Sequence, residues 1–321
     1  QSALAASDAP WKVVAFHHPP YSSALHGSTP AMQWPFASWG ADLVLTGHDH
    51  SWERIETGGV TCIVDGLGGA GRYGFRSTTV TGSVARYFAA WGALRLRVDA
   101  TTLTGAFVTT AGTTIDRFAL TTDGTTARLR DGAGSPTYAG TRDTTISQAA
   151  PTTNFGAATT LRIDGDDPAG TGKDLAALVR FDTASIPAGA TVIDASIRFR
   201  AVDPSVSAYR AYPVLRSWTE AGATWRNATT TSLWAIPGAI GATDRGSTPV
   251  GTIAAPSLGT VTLALDGTGV ALVQGWVNGT TPNRGLIIAP ADQTDGVDLA
   301  SSEATTGTSR PTLVVTYRTG A

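Results

Sequence analysis

The apolar positions come in short runs with few long periodic stretches. Residues 12–16 (KVVAF), 42–46 (DLVLT) and 60–64 (VTCIV) are compact apolar runs bounded by polar residues and turn formers, a pattern that predicts buried strands. Leu94, Leu96 and Val98 alternate with Arg95, Arg97 and Asp99, which predicts a half-buried strand at 93–98, with further strands at 103–109 and 114–120. Residues 30–40 (PAMQWPFASWG) place Met32, Phe36 and Trp39 near helical spacing, with Gly40 as a stop, and predict a short helix. Periodicity fails over residues 122–137, where small polar residues predict a linker. From Tyr138 onward, strand candidates recur with turn residues between them, the pattern of an all-β sandwich or jelly roll. The clearest is 192–201: Ile193, Ala195, Ile197, Phe199 and Ala201 are expected on one face, and Asp194, Ser196, Arg198 and Arg200 on the other. Residues 260–266 and 312–317 alternate similarly, and a short helix is predicted at 269–277 with Val273, Trp276 and Val277 on one face.

Composition narrows the class. The chain has 321 residues, enough for two domains, and a net charge of −2 that gives no electrostatic case for nucleic acid or an anionic membrane. No apolar run approaches the ~20 residues of a membrane span. The basic residues are nearly all Arg, lysine occurring only at Lys12 and Lys173. The single Cys62 excludes an internal disulfide and, inside an apolar run, reads as a packed core thiol.

The chemistry is concentrated in one place. All five histidines, His17, His18, His26, His48 and His50, fall within residues 14–54. His17 and His18 end the first predicted strand, where Pro19 and Pro20 stop pairing, and His48 and His50 follow the second, where Gly47 allows a close backbone turn. Ligand sites in open α/β sheets lie beyond the carboxyl ends of strands. Residues two apart on an extended segment share a face, so His48 and His50 suit metal ligation, whereas adjacent His17 and His18 point apart and one of them suits it. His17, His48 and His50 are the candidate ligands. His18 and His26 are either outer partners or ordinary loop residues. The glycine-rich segment 65–76 (DGLGGAGRYGFR) lacks a G-K-[ST] sequence and reads as a loop at the site rim, with Arg72 either a phosphate contact or a solvated side chain.

These residues resemble the C-terminal half of a calcineurin-like metallophosphoesterase, in particular the purple acid phosphatase branch. That family carries D-x-[GH], G-D-x-x, G-N-H-[DE], V-x-x-H and G-H-x-H blocks in order. Val14–His17 matches the fourth, Gly47–His50 the fifth, and Glu53-Arg54 continues the fifth as G-H-x-H-x-x-E-R. The resemblance implies that His17 and His48 hold one divalent metal and His50 a second, the pair being iron, zinc or manganese. It implies a catalytic place for His26 beside the substrate phosphate, and outer or substrate-side places for His18, Tyr21, Asp49 and Arg72. Two close cations neutralise a phosphate ester and activate a water for attack. The first three blocks have no counterpart before Val14, so the chain is expected to be an N-terminally truncated phosphoesterase, inactive by itself.

In the second region, residues 143–163, 179–199, 217–227 and 310–317 resemble a DNRLRE-type carbohydrate-binding β-sandwich. The region holds no His or Cys. Its acidic run Asp164, Asp166 and Asp167 is a candidate Ca²⁺ site, or a solvated turn. Trp218, Trp225, Trp234 and Trp276 could stack on sugar rings, but aromatics in a sandwich are more often core.

The expected fold class is multidomain: a partial α/β metallophosphoesterase sandwich with mixed sheets and flanking helices over 1–121, a linker over 122–137, and an all-β jelly-roll-like sandwich over 138–318. The expected function is hydrolysis of phosphomonoesters or phosphodiesters by a secreted bacterial enzyme tethered to polysaccharide or a cell surface. The alternative is a non-catalytic extracellular binding or adhesion protein.

Overall fold

The computed structural model describes residues 1–290 and 295–319. The N-terminal lobe opens with a short helix, α1 (Ser2–Ala5), and a five-stranded mixed sheet. Its strands are β1 (Val13–Ala15), β2 (Leu43–Thr46), β3 (Trp52–Thr57), β4 (Val60–Asp65) and β5 (Ser83–Tyr87), ordered β1-β2-β4-β3-β5. β1, β2 and β4 run parallel, so their carboxyl ends open on one rim, while β3 runs antiparallel to both β4 and β5. Leu43, Val44, Cys62, Ile63 and Val64 are buried, as their apolar runs predict. Burial pushes the Cys62 thiol up to about 12, which leaves it a packed core group. β1 is an edge strand and Val13 is exposed, so that apolar run is less buried than expected.

The helix predicted at 30–40 is two 3₁₀ turns, Pro30–Met32 and Ala37–Trp39. Pro35 lies between them; it removes a backbone N–H and disfavours helical geometry at Trp34. Phe36 is still buried, and Gly40 (φ 81°) ends the second turn as expected.

A three-stranded antiparallel sheet follows: β6 (Gly92–Val98), β7 (Thr102–Thr109) and β8 (Thr114–Thr121). Leu103, Phe107, Ile115 and Phe118 from it pack against Trp52 and Ile63 of the first sheet. The stretch expected as linker contains β9 (Thr125–Leu129), which pairs with the last strand of the chain. The polar Thr and Arg of β9 hide the strand from apolar periodicity, because its pairing rests on backbone hydrogen bonds.

The remaining strands are β10 (Thr141–Ser147), β11 (Thr160–Ile163), β12 (Leu175–Phe181), β13 (Thr191–Asp203), β14 (Ser205–Pro213), β15 (Gly251–Ala255), β16 (Gly259–Leu265), β17 (Leu286–Ala289), β18 (Val297–Ala300) and β19 (Thr312–Arg318). With β9 they form one antiparallel sheet whose main path runs β10-β12-β17-β14-β15-β16-β13-β18-β11. The sheet curls until its ends meet: Arg162 N–H on β11 donates to Thr145 Oγ1 on β10 at 2.9 Å. Inside the curl sits one core that includes Phe181, Phe199, Tyr209 and Val315. The helix α2 (Gly267–Val277) contributes Val273, Trp276 and Val277 to that core, and Asp266 caps its start by accepting from Thr268 and Gly269 N–H. The fold class is thus multidomain, a lobe of mixed and antiparallel sheets followed by a β-sandwich; the N-terminal lobe's helical elements are α1 and the two 3₁₀ turns among the described residues.

On β13 the expected alternation breaks at one point. A register shift between Val192 and Asp194 turns Val192 rather than Ile193 into the core. The opposite face is not solvated either. Asp194 and Ser196 are buried because that face packs on β8: Arg117 Nε donates to Asp194 Oδ1 at 2.6 Å. Beneath this seam Arg54 is 2% exposed and donates to Asp116 through Nε (2.8 Å) and Nη2 (2.9 Å), and to Glu56 through Nη1 (2.8 Å). Arg198 also donates to Glu56, and Thr262 Oγ1 donates to Val84 O at 2.7 Å. The two lobes therefore meet through ion pairs and apolar packing, in which Ala254 of β15 joins the Phe107 and Phe118 core.

Candidate metal centre

The parallel strands set the rim. β1 delivers His17, whose carbonyl accepts from Gly47 N–H at 3.1 Å, so the ends of β1 and β2 are tied together. The sharp turn after β2 falls on His48 itself, at φ 67°, a conformation costly for a residue with a Cβ. Gly47 has ordinary φ, and a Cβ there would meet Asp65 O at 3.8 Å, normal contact. The glycine that the rim requires is Gly66, where a Cβ would fall 1.9 Å from Asp49 O.

His48 is the hub of the cluster. Its ring centroid lies 5.1 Å from His17, 4.4 Å from His18 and 4.5 Å from His26. His48 Nδ1 and His17 Nε2 are 3.2 Å apart. Two nitrogens at ~2.0–2.1 Å from one tetrahedral zinc would stand about 3.4 Å apart, so this pair fits a shared metal. Burial, followed by the neighbouring charges of His18, His26 and His17, holds the His48 imidazole below its ordinary value. A neutral imidazole is the form that ligates.

His50 stands separately. Its Nδ1 lies 2.6 Å from Gly71 O, and a carbonyl can only accept, so Nδ1 carries a proton and Nε2 is the nitrogen that ligates in the neutral ring. A ligating histidine usually donates its other N–H in this manner. His17, His48 and His50 line one open depression of about 370 Å³ with Asp65 and the 66–70 loop. Among the described residues, no third His, Cys, Asp or Glu joins His17 and His48 in a group whose ligand atoms all lie within 4.8 Å. The donor set therefore fits two separate imidazole contributions, without a bridging carboxylate.

The two buried acids of this stretch hold the loop that carries His26. Asp49, fully buried, accepts from Ser22 Oγ (2.5 Å), His26 N–H (2.8 Å) and Gly27 N–H (3.3 Å). Glu53, also fully buried, accepts from Ser23 N–H (2.7 Å), Ser23 Oγ (2.6 Å) and Ser83 Oγ (2.6 Å). Burial nonetheless raises the Glu53 carboxyl. Tyr21 packs on the Phe36 and Val44 core. Arg72 donates to the carbonyls of Phe88 and Ala89 and lies over the Trp91 ring at 4.9 Å, so it braces the loop.

Two rim residues escaped the sequence reading. Tyr73 stacks on His50 (5.0 Å, 30°) and its hydroxyl donates toward His48 O (3.1 Å) and Asp49 Oδ1 (3.3 Å). Asp65 ends β4, the third parallel strand; its Oδ2 accepts from Leu94 N–H at 3.0 Å and its buried Oδ1 has no partner. The rule that ligands gather at the carboxyl ends of parallel strands would have found Asp65. Tyr73 sits in a loop without periodicity and gave no such signal.

Residues 1–52 match the calcineurin-like phosphoesterase family. Residues 135–236 match carbohydrate-binding module family 96, the class of module expected after the linker. No curated protein matches the chain. Among solved structures, the chain is similar to GAP50, described as the anchor in the inner membrane complex of Plasmodium, at 22% identity and TM-score 0.34, over 37% of this chain and 39% of that one. It is similar also to the purple acid phosphatase PPD1 from yellow lupin (Lupinus luteus) seeds, at 21% identity and TM-score 0.34, over 37% of this chain and 27% of that one. The chain thus spans less than half the length of either structure. No helix among the described residues is long and apolar enough to cross a membrane.

In the β-sandwich, Trp218, Trp225, Trp234 and Trp276 are all buried, as core residues. Asp164, Asp166 and Asp167 are engaged by donors: Asp166 accepts from Gly170 and Gly172 N–H at 2.7 and 2.5 Å, Asp164 from Asp166 N–H at 2.8 Å, and Asp167 from Arg162 Nη2 at 3.0 Å.

Proposed function

We propose that the phosphoesterase lobe supplies the histidine half of a two-metal phosphoesterase centre, and that the module binds polysaccharide or a cell surface outside the cell. The observation that carries the first part is the 3.2 Å approach of His17 Nε2 to His48 Nδ1, beside a His50 whose Nδ1 is already committed to Gly71. In this reading His17 and His48 share one cation and His50 holds the other, while carboxylate ligands come from outside these residues. Bound cations would neutralise the phosphate and activate a water. The chain's own groups bind and orient. Asp49 and Glu53 fix the 22–27 loop so that His26 stands exposed beside His48, where its ring can donate to a phosphate oxygen. Tyr73 holds the His50 ring in place from one face. The extracellular reading is supported by the carbohydrate-binding family of the module.

The test is metal content and turnover of a chromogenic phosphate ester by the complete protein. About two metals per chain are expected. His48→Ala and His50→Ala should each lose at least one metal and lower kcat/KM by more than about a hundred-fold, the upper range for losing even an outer partner of a metal ligand. Wild-type metal content and turnover in both variants would overturn the proposal and leave a binding protein.

A further inference from the structure

Away from the histidines, one cluster concentrates unsatisfied charge, and it lies in the β-sandwich. Asp143 sits on β10, Glu220 on the connection between β14 and β15, and Glu303 on the loop after β18. These three distant segments bring one carboxylate oxygen of each within 4.8 Å of the others. Asp143 is 1% exposed; its Oδ2 accepts from Ser302 N–H at 2.9 Å, and its Oδ1 is buried with no partner. Glu303 repeats the arrangement: Oε1 accepts from Ser302 Oγ at 3.0 Å, and Oε2 is buried without a partner. Glu220 Oε1 accepts from Asp143 N–H at 2.8 Å, and its Oε2 faces the half-exposed Arg142 Nε at 3.8 Å.

Three carboxylates thus share one peripheral cation. Burying an unpaired carboxylate is expensive, and like charges at this separation oppose each other. Burial, then the charge of Glu303, pushes the Asp143 carboxyl well above its ordinary range. A proton can bridge two of the oxygens, but even with Arg142 it leaves one net negative charge. A divalent cation takes one oxygen from each group and, together with Arg142, offsets all three. The donors are all oxygen, with no nitrogen or sulfur ligand, which selects a hard ion. They come from three separate segments rather than one rigid octahedron, which favours the larger and less demanding Ca²⁺ over Mg²⁺.

We propose that Asp143, Glu220 and Glu303 form a Ca²⁺ site that ties β10 to the 214–250 connection and to the loop after β18, with water completing the shell. It differs from the Asp164–Asp167 turn, where backbone and Arg162 donors already occupy the carboxylates. The proposal does not depend on the phosphoesterase reading, since histidines are poor ligands for this ion.

The test uses the whole chain, stripped with EDTA and titrated with CaCl2 by calorimetry and thermal melting. One strong site is expected, with a melting temperature about 5–10 °C higher at saturating Ca²⁺ than in EDTA. Asp143→Asn should abolish both effects and Asp166→Asn should leave both intact. Glu303→Gln, on a half-buried loop, provides the same reading if Asp143→Asn does not fold, and should weaken Ca²⁺ binding at least about ten-fold. Absence of Ca²⁺ uptake at 10 mM by the wild type, which is the shared-proton outcome, would overturn the proposal. So would unchanged uptake in Glu303→Gln.

Discussion

The histidine rim and the charged seam between the lobes use polar side chains in opposite ways. At the rim, His17, His18 and His26 are exposed, and His50 keeps a free Nε2. Beneath the seam, Arg54 of β3 and Asp116 of β8 are almost wholly buried and satisfy each other in a two-point contact, with Trp52 Nε1 also donating to Asp116 at 3.2 Å. Burial alone would lower the Arg54 guanidinium, and the Asp116 carboxylate overcomes it and holds the group above its ordinary value. Saturated charge in the interior holds β8 on β3, next to the Arg117–Asp194 and Arg198–Glu56 contacts that cross between the lobes. Exposed imidazoles on an open rim are what the proposed metal centre requires.

The largest effect should come from breaking the buried pair beneath the seam. Arg54→Met leaves Asp116 buried without its partner, and removal of one member of a buried pair costs about 3–5 kcal/mol. Chemical denaturation should show that loss, whereas Arg54→Met/Asp116→Leu together should lose less than the single variant, because no unpaired charge remains. Histidine-rim variants should leave the denaturation midpoint of metal-free protein close to wild type. If Arg54→Met is as stable as wild type, the buried pair is not what holds β8 on β3.

A smaller effect is set by pH. Burial pushes the Asp194 carboxyl up to about 6, against the pull of Arg117, from an ordinary value of 3.8. Between those values the folded chain binds more protons than the unfolded one, so this group's contribution is fully present below about pH 4 and is lost as pH rises through about 6. Burial raises Glu53 and Asp65 as well, adding slope of the same sign; burial also acts to raise Glu56, but Arg54 and Arg198 together overcome it and hold that group low, which opposes the slope. Asp194→Asn should therefore flatten the fall in stability between pH 4 and 6 by roughly 1–3 kcal/mol. Urea midpoints at pH 4, 5, 6 and 7 would measure it, and an unchanged slope would rule out Asp194 as its source.

The two regions also differ in how readable they were. The rim was legible because strand ends, Pro19-Pro20 and the H-x-H spacing are local features. The seam was not, because Asp194 and Arg198 alternate with apolar residues as any solvated strand face does. Only the approach of β8 and β3 makes that face interior. The β9 strand was lost for a related reason: pairing with β19 holds it, and pairing leaves no apolar trace in Thr-Thr-Ala-Arg. Over 30–40 a local rule decides, since Pro35 breaks the helix that the spacing of Met32, Phe36 and Trp39 suggests.

The smallest expected effect tests where rim and scaffold meet. The Tyr73 hydroxyl reaches His48 O and Asp49 Oδ1 at 3.1 and 3.3 Å, and its ring lies on His50. Tyr73→Phe keeps the ring and removes the hydroxyl. A neutral hydrogen bond contributes about 0.5–1.5 kcal/mol, so stability should fall by no more than that. Tyr73→Ala removes the stacking face as well and frees the His50 ring to rotate away from Gly71. If the tyrosine serves the rim, metal affinity should fall by a few-fold in Tyr73→Phe and by about 10–100-fold in Tyr73→Ala, as for other outer partners of a ligand. If it serves only the scaffold, both variants should lose stability while metal affinity, measured on the folded fraction, stays at the wild-type value.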